Sequence, residues 1–408
     1  MTGARLRAAL AAYPRPFWML VAGTFVNRTG LVVLPFLALY LTGQRGFSVA
    51  QATLAVSLYG AGAFAGGFAG GWLSDRTGRR PVLLASLAGA AVPVALLPVA
   101  PTYAGVALCA FAFGLLAEMY RPAVSAAVAD MLPEDRQPRA YAIVYWAINL
   151  GAAVGPALGG LIAARSYAGL FWLEGATLLG YAAIVLVAVP ETQPEADDAG
   201  AAGRALSLRP LARDAALAAL AAVVLLVGVG FFQLFSALPL TMAAAGMSEL
   251  EFGLVVTVNG GLIVLIGLPV AAYVGQRLTT ALVPGAVFLV AVGLALTGVA
   301  ETFGAFVAFA VVWTLGEMAF LPVVPTIVAR LAPVELRGSY QGVYHASWGL
   351  AKAIGPALGG LVLTAAGSTA LWLGAGALAG IAAALLLGLM PVLRRRFSTP
   401  PASAGVPI

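Results

Sequence analysis

The sequence predicts an all-α integral membrane protein with twelve transmembrane helices arranged as two six-helix bundles. Three observations predict it. The 408 residues are 62% hydrophobic and 9% charged, with a mean hydropathy of +0.98, against about 45–50% apolar and about 25% charged in an ordinary soluble domain. The apolar residues fall into twelve runs of membrane-spanning length. The two halves of the chain repeat one another at an offset of 200 residues. So little charge could not cover the surface of a soluble protein this large. Soluble enzymes, nucleic-acid binders and disordered chains are therefore excluded. The net charge of +6 does not favour a nucleic-acid partner, because the arginines sit in short loops between apolar runs.

The predicted spans are 17–42, 50–72, 81–100, 104–130, 140–164 and 169–190, then 215–243, 250–273, 282–300, 304–330, 339–365 and 369–391. Their internal Gly and Pro residues do not argue against helix, because membrane helices tolerate both. The first run carries Asn27-Arg28 and lacks a small-residue cleavage site, so it reads as a span rather than a leader. The single Cys109 excludes a disulfide framework or a cysteine-built metal site and reads as a packing residue.

Orientation follows from the cations, which accumulate in cytoplasmic loops. With the N-terminus inside, 17 of the 22 cations fall in cytoplasmic segments, only Arg45 and Arg165 fall outside, and Arg28, Arg121 and Lys352 lie within spans. Both termini are expected in the cytoplasm of a multi-pass cell inner-membrane protein. Residues 191–214, with Glu191, Pro194, Glu195, Asp197, Asp198, Gly200 and Gly203, read as a flexible cytoplasmic linker. It divides an N-terminal bundle, 1–190, from a C-terminal bundle with a short cytoplasmic tail, 215–408.

The repeat is carried by Gly155-Pro156-Ala157-Leu158-Gly159-Gly160, which returns unchanged as Gly355-Pro356-Ala357-Leu358-Gly359-Gly360. Pro122, Pro133, Gly60 and Gly67 match Pro322, Pro333, Gly260 and Gly267 at the same offset. Two halves of equal topology are parallel repeats about an axis along the membrane normal. That arrangement places substrate near the midplane between them and gives alternating access by rocking.

Between helices 2 and 3, Gly71-Trp72-Leu73-Ser74-Asp75-Arg76-Thr77-Gly78-Arg79-Arg80 resembles the major facilitator superfamily signature G-x-L-[AS]-D-R-x-G-R-[RK]. The counterpart Ala271–Arg277 has decayed and lacks the acid. The resemblance covers essentially the whole chain and implies the major facilitator fold. Within that superfamily, Gly155–Gly160 is similar to the G-P-x-x-G-G motif of the 12-helix proton-coupled drug antiporters. Arg121-Pro122-Ala123 resembles the helix-4 arginine motif R-x-x-Q-G, with Val124-Ser125 in place of Gln-Gly.

The signature loop reads as a cytoplasmic gate. Asp75 is expected to accept hydrogen bonds from Arg79 or Arg80 and to face a helix N-terminus, with Asp130 as a further partner. Gly71, Arg76 and Gly78 complete the loop. The runs containing Gly155, Pro156, Gly159 and Gly160, and Gly355, Pro356, Gly359 and Gly360, supply close-packing faces. Gly60, Gly62, Gly66, Gly67, Gly70 and Gly71 on helix 2 are expected to form sliding contacts between the halves.

Charges within the membrane are functional by default and seek partners. Counted from the cytoplasmic ends, Arg28, Glu118 and Arg121 lie about 11, 12 and 9 residues deep, and Glu317 and Lys352 about 13. The superfamily architecture implies that Arg28, Glu118, Arg121 and Glu317 line a central cavity. Lys352, the only lysine, is either a titratable group or a structural partner of Glu317 or another acid. His345, the only histidine, has a titration range suited to proton handling. Glu317 and Glu118 are the first candidates for proton coupling, because buried carboxylates bind protons readily. Glu174, in a peripheral helix, reads as structural. Asn27, Tyr145, Asn149, Gln233 and Asn259 are polar cavity candidates, and Phe36, Phe231, Phe232, Phe235, Trp146 and Trp313 are candidates for an apolar wall.

The resemblance and the buried acids favour a proton-driven antiporter, working by alternating access as a monomer, that expels small lipophilic or cationic compounds. The cations Arg28, Arg121 and Lys352, able to clamp a carboxylate, leave open a proton-coupled symporter or facilitator for an anionic or zwitterionic solute. No catalytic set, metal cluster or phosphate loop is visible, so neither an enzyme nor a cofactor is expected; the proton gradient is the energy source.

Overall fold

The computed structural model describes residues 13–133, 136–193, 213–278, 280–333 and 336–398. The interior of the predicted linker and both chain ends lie outside the described residues. Twelve helical spans are present: α1 (Arg15–Gln44), α2 (Val49–Thr77), α3 (Arg79–Val99), α4 (Tyr103–Met131), α5 (Gln137–Ala163), α6 (Tyr167–Ala188), α7 (Ala215–Ala244), α8 (Glu249–Gly275), α9 (Leu282–Thr297), α10 (Phe303–Leu331), and α11 and α12 within Arg337–Ser398. The last two run together as helix except at Gly367, whose φ of 81° breaks them into 337–366 and 368–398. Only glycine adopts that conformation without strain. Leu108, Val187 and Leu265 are largely exposed, as side chains facing lipid are.

The repeat extends into the turn chemistry. Ser48 and Ser248 each close a capping box, with Gln51 and Glu251. Thr102 and Thr302 cap α4 and α10 by accepting the N–H of Gly105 and Ala305. Gly46 and Gly246, at φ 66° and 80°, turn the chain into α2 and α8.

Departures from regular helix follow from missing donors. In α1 the helix stops at Gly30 and resumes at Val33. Pro35 cannot donate to the Leu31 carbonyl, and the freed Val33 N–H donates to Glu174 Oε2 on α6 at 2.7 Å. Glu174 thus satisfies a backbone donor at the break in α1. In α10, Pro322 and Pro325 together open a turn between Phe320 and Val324, whereas Pro122 alone is absorbed within α4.

Small residues set the helix packing. Gly62, Gly66 and Gly70 on α2 lie against the α4 backbone at Phe111, Leu115 and Met119. Of the helix-2 glycines expected at the interface between halves, only Gly60 meets the other half, at the Lys352 and Ala353 backbone on α11. Gly67 faces open space, and Gly71 has only Pro122 near it. The reason is helical register: a stripe at i, i+4 and i+8 forms one face, and α4 occupies it.

The two halves touch along α2–α11 and α5–α8. Gly160 packs on Glu249 and Leu250, Gly253 on the Pro156 carbonyl, Gly260 on Ala153, and Gly360 on Thr53. The Ala357 N–H donates to Ser57 Oγ at 2.8 Å. Tyr167 Oη donates to Glu249 Oε1 at 3.0 Å, and Phe36 meets Phe252 edge to face at 5.2 Å. These contacts gather toward the arginine-poor end, where the α1 and α7 segments Val33–Leu39 and Gln233–Ala244 also pack together. Beyond Ala153 and Gly260 a cleft opens toward the arginine-rich end. Gly155 and Gly159 meet α1, and Gly355 and Gly359 meet α7, within their own halves. Each repeated run thus packs inward through two glycines and across the interface through one.

This packing predicts that Gly62→Val, whose Cβ would meet the Phe111 carbonyl, destabilises by about 1–3 kcal/mol. Gly261→Ala, which points into open space, is expected to leave stability unchanged. Thermal unfolding of the two purified variants checks the contrast.

Candidate transport site

Glu118 on α4 holds two cations at once. Its Oε2 accepts from Arg121 at 2.9 Å, one turn along the same helix. Its Oε1 accepts from Lys352 Nζ on α11 at 3.0 Å, across the interface between halves. The Lys352 ammonium also lies 4.8 Å from the centre of the Tyr59 ring. Lys352 therefore pairs with Glu118 rather than with its level neighbour Glu317. The contact of α2 with α11 turns this face of α11 toward the first half. Arg121 keeps about half of its side chain exposed, and His345 is exposed with its ring 4.9 Å from that of Tyr344.

Glu317 on α10 lies one residue out of register with Glu118 at the offset of 200, and its surroundings differ. Asn259 Nδ2 on α8 donates to Glu317 Oε2 at 2.7 Å and to Thr314 Oγ1 at 3.0 Å. No cation is paired with Glu317 among the described residues. At the offset of 200, the place of Lys352 is taken by Ala152. Glu317 lines a cleft with Tyr145, Trp146 and Asn149 of α5, Ile263 and Leu268 of α8, and Leu321 of α10. Its walls are mainly apolar and aromatic, with a few polar groups, the usual make-up of a small-molecule site.

Three expected cavity residues sit elsewhere. Asn27 and Arg28 are buried against α4, where Tyr120 Oη joins them: it accepts from Arg28 and donates to Asn27 Oδ1, both at 3.1 Å. Gln233 is buried beneath the second Gly-Pro run and donates to the carbonyls of Val229 and Gly355, the latter at 2.7 Å. Asparagine and glutamine in a membrane helix serve backbone carbonyls at a break as readily as a ligand, and composition does not distinguish the two. Tyr59 and Tyr120, central to these contacts, were missed; a tyrosine in an apolar run carries no signal of its partner.

The signature loop forms a network within the first half. Arg79 donates to Asp130 at 2.9 Å, to Asp75 at 3.2 Å and to the Ser74 carbonyl at 2.9 Å. Asp75 itself is largely exposed. Arg76 stacks on Trp72 at 4.1 Å, a pairing kept in the decayed counterpart by Arg277 on Tyr273 at 3.9 Å. Arg80 donates to the Leu186 carbonyl at 2.7 Å. Glu191, at the linker's start, is a partner that sequence reasoning did not assign to the loop. It accepts backbone N–H bonds from Arg79, Arg80, Thr192 and Gln193 at 2.9–3.1 Å. Gly78, at φ 100°, leaves the room that this carboxylate fills. Partial burial opposes ionisation there, but the four N–H donors outweigh it and hold the Glu191 carboxyl below the usual carboxylate range. In the second half Asp214 caps α7 and accepts from Arg396 at 2.7 and 3.1 Å and from Tyr340 at 2.7 Å.

Residues 20–248 and 220–407 each match the family model described as Major Facilitator Superfamily. The uncharacterized MFS-type transporter YttB of Bacillus subtilis is 31% identical over 371 residues, covering 88% of this chain and 91% of that protein. A Na(+), Li(+), K(+)/H(+) antiporter of Planococcus maritimus is 29% identical over 148 residues, 35% of this chain and 34% of that protein. In three dimensions, a POT family transporter crystallised with a thioalcohol-conjugated peptide superposes with a TM-score of 0.76 at 16% identity, covering 94% of this chain and 99% of that one.

Two outcomes follow from these contacts. Glu118→Gln is expected to cost about 3 kcal/mol, more than Lys352→Met, because it strands Lys352 while Lys352→Met leaves Arg121 on Glu118. The double variant should cost less than the sum, as read in a thermal-unfolding cycle. Glu191→Gln is expected to lower stability at neutral pH. Because the folded value lies below the unfolded one, that loss should begin to shrink as pH falls below about 4 and fade as pH passes the folded value; unfolding near pH 7 and near pH 3 checks the sign.

Proposed function

The chain belongs to the major facilitator superfamily, and we propose that it is a proton-coupled antiporter expelling small lipophilic or cationic compounds. The observation that carries this reading is the unequal treatment of two repeat-related carboxylates. Glu118 is neutralised by Arg121 and Lys352. Glu317 faces a largely apolar cleft with only a neutral amide beside it. A lone carboxylate in apolar surroundings binds either a proton or a cationic ligand and cannot hold both. That exclusion couples export of one to entry of the other. Tyr145 and Trp146 supply an amphipathic wall for lipophilic guests. The local similarity to a cation/proton antiporter supports exchange rather than co-transport.

The arginine-rich end, toward which the cleft opens, is the cytoplasmic end in this reading. The chain then lies in the cell inner membrane with both termini inside. The seal at the opposite end is the gate that must part for release. The signature-loop cluster around Arg79 is the cytoplasmic gate, and alternating access exchanges the two. The carrier acts as a monomer and uses no cofactor. One observation favours a second reading, symport or facilitation of an anionic solute: the half-exposed Arg121 guanidinium beside Glu118.

Proteoliposomes with an imposed pH gradient and a panel of lipophilic cations separate the two. Antiport moves substrate against the proton flow, and co-directional movement overturns it. Glu317→Gln is expected to abolish concentrative transport while leaving substrate binding intact. If concentrative transport survives, Glu317 is not the coupling acid.

A further inference from the structure

The Glu317 cleft contains a convergence of oxygens that export of an organic compound does not require. Thr314 and Glu317 lie one turn apart on α10, and Asn259 of α8 reaches both. One amide nitrogen thus fills the point at which a carboxylate and a hydroxyl oxygen converge. Thr314 gives its own proton to the Ala310 carbonyl, so its oxygen acts only as an acceptor toward that point. Thr314 is fully buried, and Asn259 and Glu317 are half-buried. The two ends of an asparagine amide have nearly the same shape. A half-turn of the Asn259 amide replaces the donors with Oδ1 and leaves three oxygens, one of them charged, facing one place. That is the donor set of a hard cation.

Charge selects which cation. One carboxylate neutralises a monovalent ion, whereas a divalent ion would leave a net positive charge in the apolar interior. The first half provides an internal comparison. At the offset of 200, Thr314, Asn259 and Glu317 correspond to Gly114, Tyr59 and Ala117, and the nearby acid Glu118, one residue on, is held by Lys352. We propose that Glu317, Thr314 and Asn259 form a binding site for a monovalent alkali cation. The proposal rests on Glu317 as the coupling acid and names a second ion for it.

The titratable group facing Glu317 across the cleft is the Tyr145 phenol of α5. α8 contributes the neutral Asn259. α9 meets α10 through Ala286, Val290 and Gly293, all uncharged.

The test uses the purified full-length protein in detergent. NaCl or LiCl is titrated against N-methyl-D-glucamine chloride at constant ionic strength and constant pH. The readouts are tryptophan fluorescence, from Trp146 in the cleft and Trp313 beside Thr314, and thermal unfolding. A saturable sodium response is expected, absent in Glu317→Gln, and about tenfold weaker in Thr314→Val and Asn259→Leu. Thr314→Ser keeps the hydroxyl and should keep the response, which separates ligation from packing. A response that N-methyl-D-glucamine reproduces, or that Glu317→Gln retains, overturns the site. Proton-coupled export without sodium binding sinks this proposal alone. Sodium binding without proton-coupled export upholds it and sinks the export reading.

Discussion

The bilayer solvates no charge, and Glu118 is where this chain answers that constraint. One carboxylate satisfies Arg121 on its own helix and Lys352 on the other half. The pair fixes the register of α4 against α11 at mid-membrane, beside the point where Gly60 meets the Lys352 backbone. Breaking it would leave a bare ammonium between two helices, so the halves are held together by electrostatic need as well as by glycine contacts. Everything toward the arginine-poor end of this pair is closely packed, and the cleft lies toward the other end.

Duplication provided two equivalent sites, and a few substitutions made them unequal. Lys352 has Ala152 as its counterpart, Tyr59 has Asn259, and Gly114 has Thr314. The first site holds one carboxylate between two cations; the second holds a carboxylate with no cation paired to it among the described residues. The same divergence marks the cytoplasmic loops of the proposed orientation. The first half ties its signature loop to Asp130 and Glu191 through Arg79. The second half lost that acid and pins α12 to the start of α7 through Arg396 and Asp214.

Much of the fold was legible in the sequence because its causes are local or periodic. Apolar run length gave the spans, and the repeated Gly-Pro run gave the two halves. The departures also have local causes that went unread: Pro35 behind the break in α1, Pro325 added to Pro322 in α10, and Gly367 alone separating α11 from α12. The site was less legible. Glu118, Arg121, Lys352 and Glu317 stood out because charge is rare in the membrane. Their pairing did not, since equal depth made Glu317 the natural partner of Lys352. Arg28, Asn27 and Gln233 looked like cavity residues because polarity within a span is visible, while the buried tyrosine or carbonyl it serves is not.

By itself the sequence determined that this chain is a twelve-helix membrane carrier of duplicated build, and which side chains carry charge inside the bilayer. Those properties are sums over residues and spacings, and the bilayer's demand for apolar length enforces them. Only the tertiary structure decided that Lys352 belongs to Glu118, that Asn259 and Thr314 attend Glu317, and that the repeated glycines divide their contacts between their own half and the other. A partner more than two hundred residues away is set by how helices rotate and cross, which small residues at close approach control. No single run of the sequence records that rotation.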